Sequence, residues 1–325
     1  MRVAHAERVP HAGAGRKRSA LMALNFASLW APLGVAGVLL GLRYLLHRGL
    51  APEATLAGKN PADHGLPAQA VRIPGARDLS LFAWFVPAPC RGPRPAVVLL
   101  HGWGGNASTL LPAAQMLHRA GYAVLLPESR NHGRSDRDDH SSLPRFAEDL
   151  DSALDWLSAQ PYVDTGCLIA LGHSVGGAAV LLSASRRRDL RAVVSVSAFA
   201  HPEQVMRHRL AAWHVRYWPL GWLVNRYVEK VIGARFDDIA PLNTLRRVNC
   251  PVLLLHGRQD AMVPIDEART LWRQRGADVT LIECDGTHEG FDDLEYVTRC
   301  ILAFLELAID AESPAVLFYP QEKNR

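Results

Sequence analysis

Cys167-Leu168-Ile169-Ala170-Leu171 runs directly into Gly172-His173-Ser174-Val175-Gly176-Gly177, and helix-compatible residues continue to Arg186. This reads as a strand, a tight turn and a helix, with G-x-S-x-G in the turn. The spacing has a steric cause. In a turn this sharp, side chains two residues either side of Ser174 would strike neighbouring backbone, so both positions are glycine. The turn thrusts the Ser174 hydroxyl out of the sheet, and the helix that follows sets its N-terminal N–H groups behind it. Ser174 is therefore the expected nucleophile.

Working outward, short β-type runs alternate with helical ones from about residue 69 to about 310. Gln69–Pro74 and Leu79–Val86 read as a hairpin around Gly75. Ala96–Leu100 is a continuous apolar run, as a strand buried on both faces requires. Tyr122–Leu126, Ala192–Val196, Val252–His256 and Val279–Glu283 are further strands. Helices are expected over Ala107–Ala120, Pro144–Ser158, Pro264–Arg275 and Asp292–Ile309. In Pro144–Ser158, Phe146, Leu150, Leu154 and Leu157 recur at helical spacing. Strands alternating with helices predict an α/β domain with a mainly parallel sheet covered on both faces. In such sheets chemistry collects beyond the carboxyl ends of the strands.

Three loops leave those ends. His101-Gly102-Trp103-Gly104-Gly105-Asn106 follows the first buried strand, and its glycines let backbone approach a substrate closely. The N–H groups of Trp103 and Val175 are the expected oxyanion donors. Val252–His256 leads into Gly257-Arg258-Gln259-Asp260, and Val279–Glu283 into Cys284-Asp285-Gly286-Thr287-His288-Glu289-Gly290. The order Ser, Asp, His makes His288 the general base and Asp260 the group that orients it. Rival acids are Asp285, close in sequence to His288, and Glu203. His101, His132, His173 and His256 read as loop-bracing groups.

Together the HGWGG loop, the GHSVGG turn, the strand and loop from Pro251 to Asp260, and the loop around His288 resemble the α/β-hydrolase superfamily. Glu128–Ser135 resembles that family's loop after its fourth strand, and Phe236–Leu242 resembles the return from the cap in bacterial serine esterases and serine aminopeptidase-like hydrolases. The resemblance implies an eight-stranded, mostly parallel sheet, and it leaves the substrate open.

Residues 201–247 interrupt the strand–helix rhythm and carry Trp213, Tyr217, Trp218, Trp222 and Tyr227. They read as a small helical cap whose aromatic residues line an acyl pocket, pack the cap onto the body, or touch a bilayer surface.

The ends of the chain read differently. Residues 1–48 form a basic arm: residues 1–50 hold seven Lys/Arg against the single acid Glu7, leaving residues 51–325 at −2. That distribution gives no support to a nucleic-acid face on the body. Ala20–Leu42 contains no charged side chain, and its 23 residues would span about 34 Å as a helix, enough for a single-pass membrane anchor. The basic cluster Arg16-Lys17-Arg18 favours a cytoplasmic N-terminus and a catalytic body outside the cytoplasm. A cleaved signal peptide with an exported body, and a soluble cytoplasmic chain, are the alternatives. Residues 49–68 read as a linker or a loosely packed entry to the domain, 69–310 as the hydrolase domain, and 311–325 as a tail. The five cysteines are scattered, without metal-ligand spacing, and read as free thiols.

The expectation is a cofactor-free serine hydrolase that cleaves a carboxylic ester, or a related acyl bond of a small molecule, through an acyl-enzyme. The alternatives are a peptidase, amidase or acyltransferase on the same fold, and a non-catalytic binding protein on a hydrolase scaffold.

Overall fold

The computed structural model describes residues 36, 37, 40, 41, 43–45, 47–52, 55, 58–212, 214, 216–275 and 279–310. Among them are strands β1 (Gln69–Pro74), β2 (Ser80–Val86), β3 (Arg94–Leu100), β4 (Ala123–Pro127), β5 (Val163–His173), β6 (Leu190–Val196), β7 (Val252–Gly257) and β8 (Val279–Cys284). They form one eight-stranded sheet in the order β1-β2-β4-β3-β5-β6-β7-β8. β2 runs antiparallel to both of its neighbours, and every pairing from β4 to β8 is parallel.

Helices α1 (Leu111–Arg119), α2 (Leu143–Ser158), α3 (Val175–Ala184), α4 (Pro202–Ala212), α5 (Trp222–Ile232), α6 (Ile265–Arg275) and α7 (Leu294–Asp310) complete the frame. Alternate residues of a strand face opposite ways. Val97 and Leu99 of β3 join Leu111 and Leu117 of α1 and Ile301, Phe304 and Leu305 of α7 in one core cluster. α2 and α3 pack against each other and on β3 and β5. Every residue of α3 is buried. The helix after Ser174 is thus locked between sheet and α2, which fixes the position of Ser174. The expected helix start at Ala107 is one turn early, because Ala107–Leu110 is a 3-10 turn capped by the Asn106 side chain.

From Leu50 on, the described residues cluster with the large unit. Leu66 is buried, Gln115 donates to the His64 carbonyl at 2.6 Å, and Ser141 N–H donates to the Leu50 carbonyl at 2.7 Å. Apolar Pro61 and Leu66 among the Ala/Gly/Pro-rich residues explain the docking.

Most of the charge-free run 20–42, and the tail from 311 on, lie outside the described residues. No helix among the described residues is long and apolar enough to cross a membrane.

The interruption at 201–247 is helical, as expected. α4 and α5 are joined through Tyr217–Gly221, and the short helices Phe236–Ile239 and Pro241–Thr244 return the chain to β7. The aromatic side chains divide. Tyr217 is half-buried and donates to Glu203 at 2.5 Å. Trp218 and Trp222 are exposed, so the acyl-pocket reading does not hold for them. Trp213 lies outside the described residues.

Candidate active site

Ser174 follows the last residue of β5 and precedes α3, with φ 57° and ψ −119°. This conformation is costly for any residue bearing a Cβ, and it persists because its surroundings hold it. Ser174 N–H donates to the Val196 carbonyl of β6 at 2.8 Å, and its carbonyl accepts from Ala178 at 3.0 Å. The flanking glycines are required as the motif predicts. A Cβ at Gly172 would stand 2.2 Å from the Gly176 carbonyl oxygen, and one at Gly176 would stand 2.4 Å from the Leu100 oxygen.

The sheet's carboxyl edge brings the three distant residues together. His288 Nδ1 lies 2.7 Å from Asp260 Oδ2, and His288 Nε2 lies 3.0 Å from Ser174 Oγ. With Nδ1–H donating to the carboxylate, Nε2 is left to accept the Ser174 hydroxyl proton. Asp260 is buried, and its second oxygen accepts from the N–H groups of Met262 and Val263 at 2.9 and 2.7 Å. Both carboxylate oxygens are therefore engaged and its orientation is fixed. The two loops meet at Gly257, where a Cβ would stand 2.6 Å from the Gly286 carbonyl oxygen. The rival acids are occupied elsewhere: Asp285 faces Arg258 at 3.2 Å, and Glu203 is held by Tyr217 and Arg207 in the cap.

The loop after β3 lies against Ser174, since a Cβ at Gly102 would sit 3.2 Å from Ser174 Cβ. Val175 is the first residue of α3, so its N–H has no partner inside the helix. Trp103 lies one residue beyond Gly102, with its ring stacked on Phe146 at 6.3 Å.

The neighbouring histidines are braces. His101 is fully buried; its Nδ1–H donates to the Gly102 carbonyl at 2.7 Å and its Nε2 accepts from Ser129 N–H at 3.1 Å. Burial pulls its pKa down to about 4, and that of His132 to about 3. His256 donates to the Val263 carbonyl at 2.7 Å while lying 3.4 Å from Asp260 Oδ2, so it holds the acid's own loop. His173 Nε2–H donates to the backbone carbonyl of His288 at 2.7 Å. Burial lowers the pKa of both, so each is a neutral donor.

Sequence reasoning gave His173 as a loop brace without its partner, His288, and it missed a second support. That is Arg130, fully buried on the loop after β4, which reaches Asp149 at 2.6 Å, Glu148 at 3.1 Å and Asp138 at 3.2 Å. It ties the loop carrying Ser129 to α2 and so steadies His101 from below. The buried Asp149 within an apolar helical face was the available signal.

Sheet order, strand directions and the serine turn define the class: the chain has the α/β-hydrolase fold. Residues 91–236 match the family model described as serine aminopeptidase, S33. An uncharacterized Mycobacterium tuberculosis protein is 28% identical over 212 residues, covering 63% of this chain and 69% of the relative. A mouse sn-1-specific diacylglycerol lipase is 35% identical over 97 residues, 30% of each chain. A solved esterase from Pyrococcus furiosus superimposes with a TM-score of 0.64 at 20% identity, covering 79% of this chain and 97% of that one.

Proposed function

We propose that this chain is a serine hydrolase that cleaves carboxylic esters through an acyl-enzyme intermediate, with Ser174 as nucleophile, His288 as general base and acid, and Asp260 as the orienting carboxylate. The observation that carries the reading is the unbroken line from Asp260 Oδ2 through the imidazole to Ser174 Oγ, with steps of 2.7 and 3.0 Å. Ser174 is half-buried, so a substrate can reach it.

Attack of Ser174 Oγ on the acyl carbon transfers the hydroxyl proton to His288 Nε2. The imidazolium so formed is stabilised by Asp260, whose charge lies beside Nδ1. The carbonyl oxygen becomes negative, and in this reading it is met by the N–H groups of Trp103, on the loop after β3, and Val175, at the start of α3. His288 then returns its proton to the departing alkoxide. In the second half, water gives a proton to His288 as it attacks the acyl-enzyme, and Ser174 recovers its hydrogen as the acid leaves.

Two of the related proteins are named as an esterase and a lipase, and both act on esters. The family description supports a second reading, an aminopeptidase. That activity needs a group to hold a substrate's ammonium, and the cap carboxylate Glu203 already accepts from Tyr217 and Arg207. Stopped-flow release of nitrophenol from nitrophenyl butyrate tests the proposal. A burst of one equivalent per chain is expected, together with slower turnover of aminoacyl nitroanilides. Turnover of the anilides alone, without an ester burst, would favour the peptidase.

The run 20–42 is proposed to anchor the protein in a membrane, with the N-terminus cytoplasmic. The full-length chain is expected to stay with the membrane pellet in alkaline carbonate; release into the supernatant would refute anchoring.

A further inference from the structure

The outer face of the cap places exposed apolar side chains beside cations. Trp218 is 70% exposed, Leu220 49%, Trp222 37% and Leu223 53%. They form one patch: the Trp218 and Trp222 rings lie 5.7 Å apart, and the Arg226 guanidinium stands 5.8 Å from the Trp222 ring centroid. The patch is not the packing face of α5. Val224, Asn225 and Val228 are the residues that helix buries. Trp222, Arg226 and Lys230 recur every four residues and share the opposite, exposed stripe.

Charge selects the occupant. Residues 201–247 hold eight Lys/Arg against four Asp/Glu, whereas the rest of residues 51–325 sums to −6. The cap is thus a positive lobe on a negative body. Arg226 shares its charge with Glu229 at 2.8 Å. Arg216 and Lys230 are exposed and make no ion pair among the described residues. A second copy docking through the same face would bring like charges together. Exposed Trp and Leu flanked by Arg and Lys is the composition that settles into a headgroup layer, with rings at the acyl boundary and cations on phosphate.

We propose that this face of the cap docks on an anionic lipid surface, with Trp218, Leu220, Trp222 and Leu223 entering the interface and Arg216, Arg226 and Lys230 meeting the phosphates. The cap is inserted after β6, at the sheet edge where Ser174 N–H is bonded to Val196. Docking therefore brings the edge that carries Ser174 close to lipid. The proposal does not depend on ester hydrolysis, because its test needs no turnover.

The test adds full-length protein to phosphatidylglycerol vesicles with dibrominated acyl chains and follows quenching of tryptophan emission. Trp218→Phe/Trp222→Phe keeps the patch apolar and removes its fluorophores, so the difference from wild type reports the cap alone. Stronger fractional quenching of the wild type is expected. Arg226→Gln/Lys230→Gln should lower the docked-to-undocked ratio about 25-fold, at about fivefold per cation. Equal fractional quenching of wild type and the double Phe variant would overturn the proposal. So would a difference that is just as large on phosphatidylcholine.

Discussion

Replacing Gly176 by alanine tests the serine turn where it is tightest. The added Cβ would stand 2.4 Å from the Leu100 oxygen and 2.6 Å from the His101 oxygen, both backbone atoms of the strand and loop facing α3. Relief to the 3.0 Å floor of real Cβ contacts needs a separation of at least about 0.6 Å between the start of α3 and the loop after β3. Those two segments carry the Val175 and Trp103 N–H groups, so on the proposed mechanism the substitution spreads the oxyanion donors while leaving Ser174, His288 and Asp260 chemically intact. A displaced donor costs about 100-fold in rate, and the overpacking costs about 1–3 kcal/mol of stability. The assay is kcat and KM on nitrophenyl butyrate beside urea unfolding. The expected result is a fall of about 100-fold in kcat, a modest change in KM, and a chain still folded at 25 °C. Gly177→Ala is the graded control, because its Cβ would meet the Val196 oxygen at 3.0 Å and Ala198 Cβ at 3.1 Å; it should lose less. A Gly176→Ala enzyme with wild-type kcat would refute the reasoning.

Asp260→Asn should lower kcat by about 10⁴, because an amide that donates toward Nδ1 selects the wrong imidazole tautomer; steady-state kinetics checks this. Asp149→Ala removes the closest partner of the buried Arg130 guanidinium and should cost about 3 kcal/mol, read as a lower urea midpoint. Stability should also fall in mild acid. His101 and His132 have folded pKa values of about 4 and about 3 against 6.5 in the free group, so the unfolded chain binds the extra protons. Their contribution is whole above pH 6.5 and is lost as pH falls through that window, about 2 kcal/mol per histidine by pH 5. Urea unfolding at pH 7 and pH 5 measures the loss, and His101→Asn should reduce it by about that amount.

The parts of the site legible in sequence were those governed by local sterics. Gly172 and Gly176 announced a turn too tight for a Cβ, and the apolar runs ahead of Ser174 and Asp260 announced buried strands. The positions of Asp260 and His288 followed from the strands they succeed. What stayed hidden depends on contacts between distant residues. Arg130 gives no sign of burial in the sequence, because its partner Asp149 lies on a different element. His173 reads as a loop brace, but the carbonyl that its ring holds lies 115 positions away and is not visible in the sequence. The stretch 49–68 left a linker and a loosely packed entry both open because its Ala, Gly and Pro carry no periodicity; the burial of Pro61 and Leu66 shows only in the structure. Composition in the cap likewise gave the aromatic residues but not their direction, and Trp218 and Trp222 face outward.

The most direct measurement is the intact mass of the folded protein after exposure to a fluorophosphonate. A single adduct on the wild type, mapped to Ser174 and absent from both Ser174→Ala and acid-unfolded wild type, is the result expected. A folded wild-type chain that stays unmodified, or an adduct that persists in Ser174→Ala, would contradict the assignment of Ser174 as the activated nucleophile.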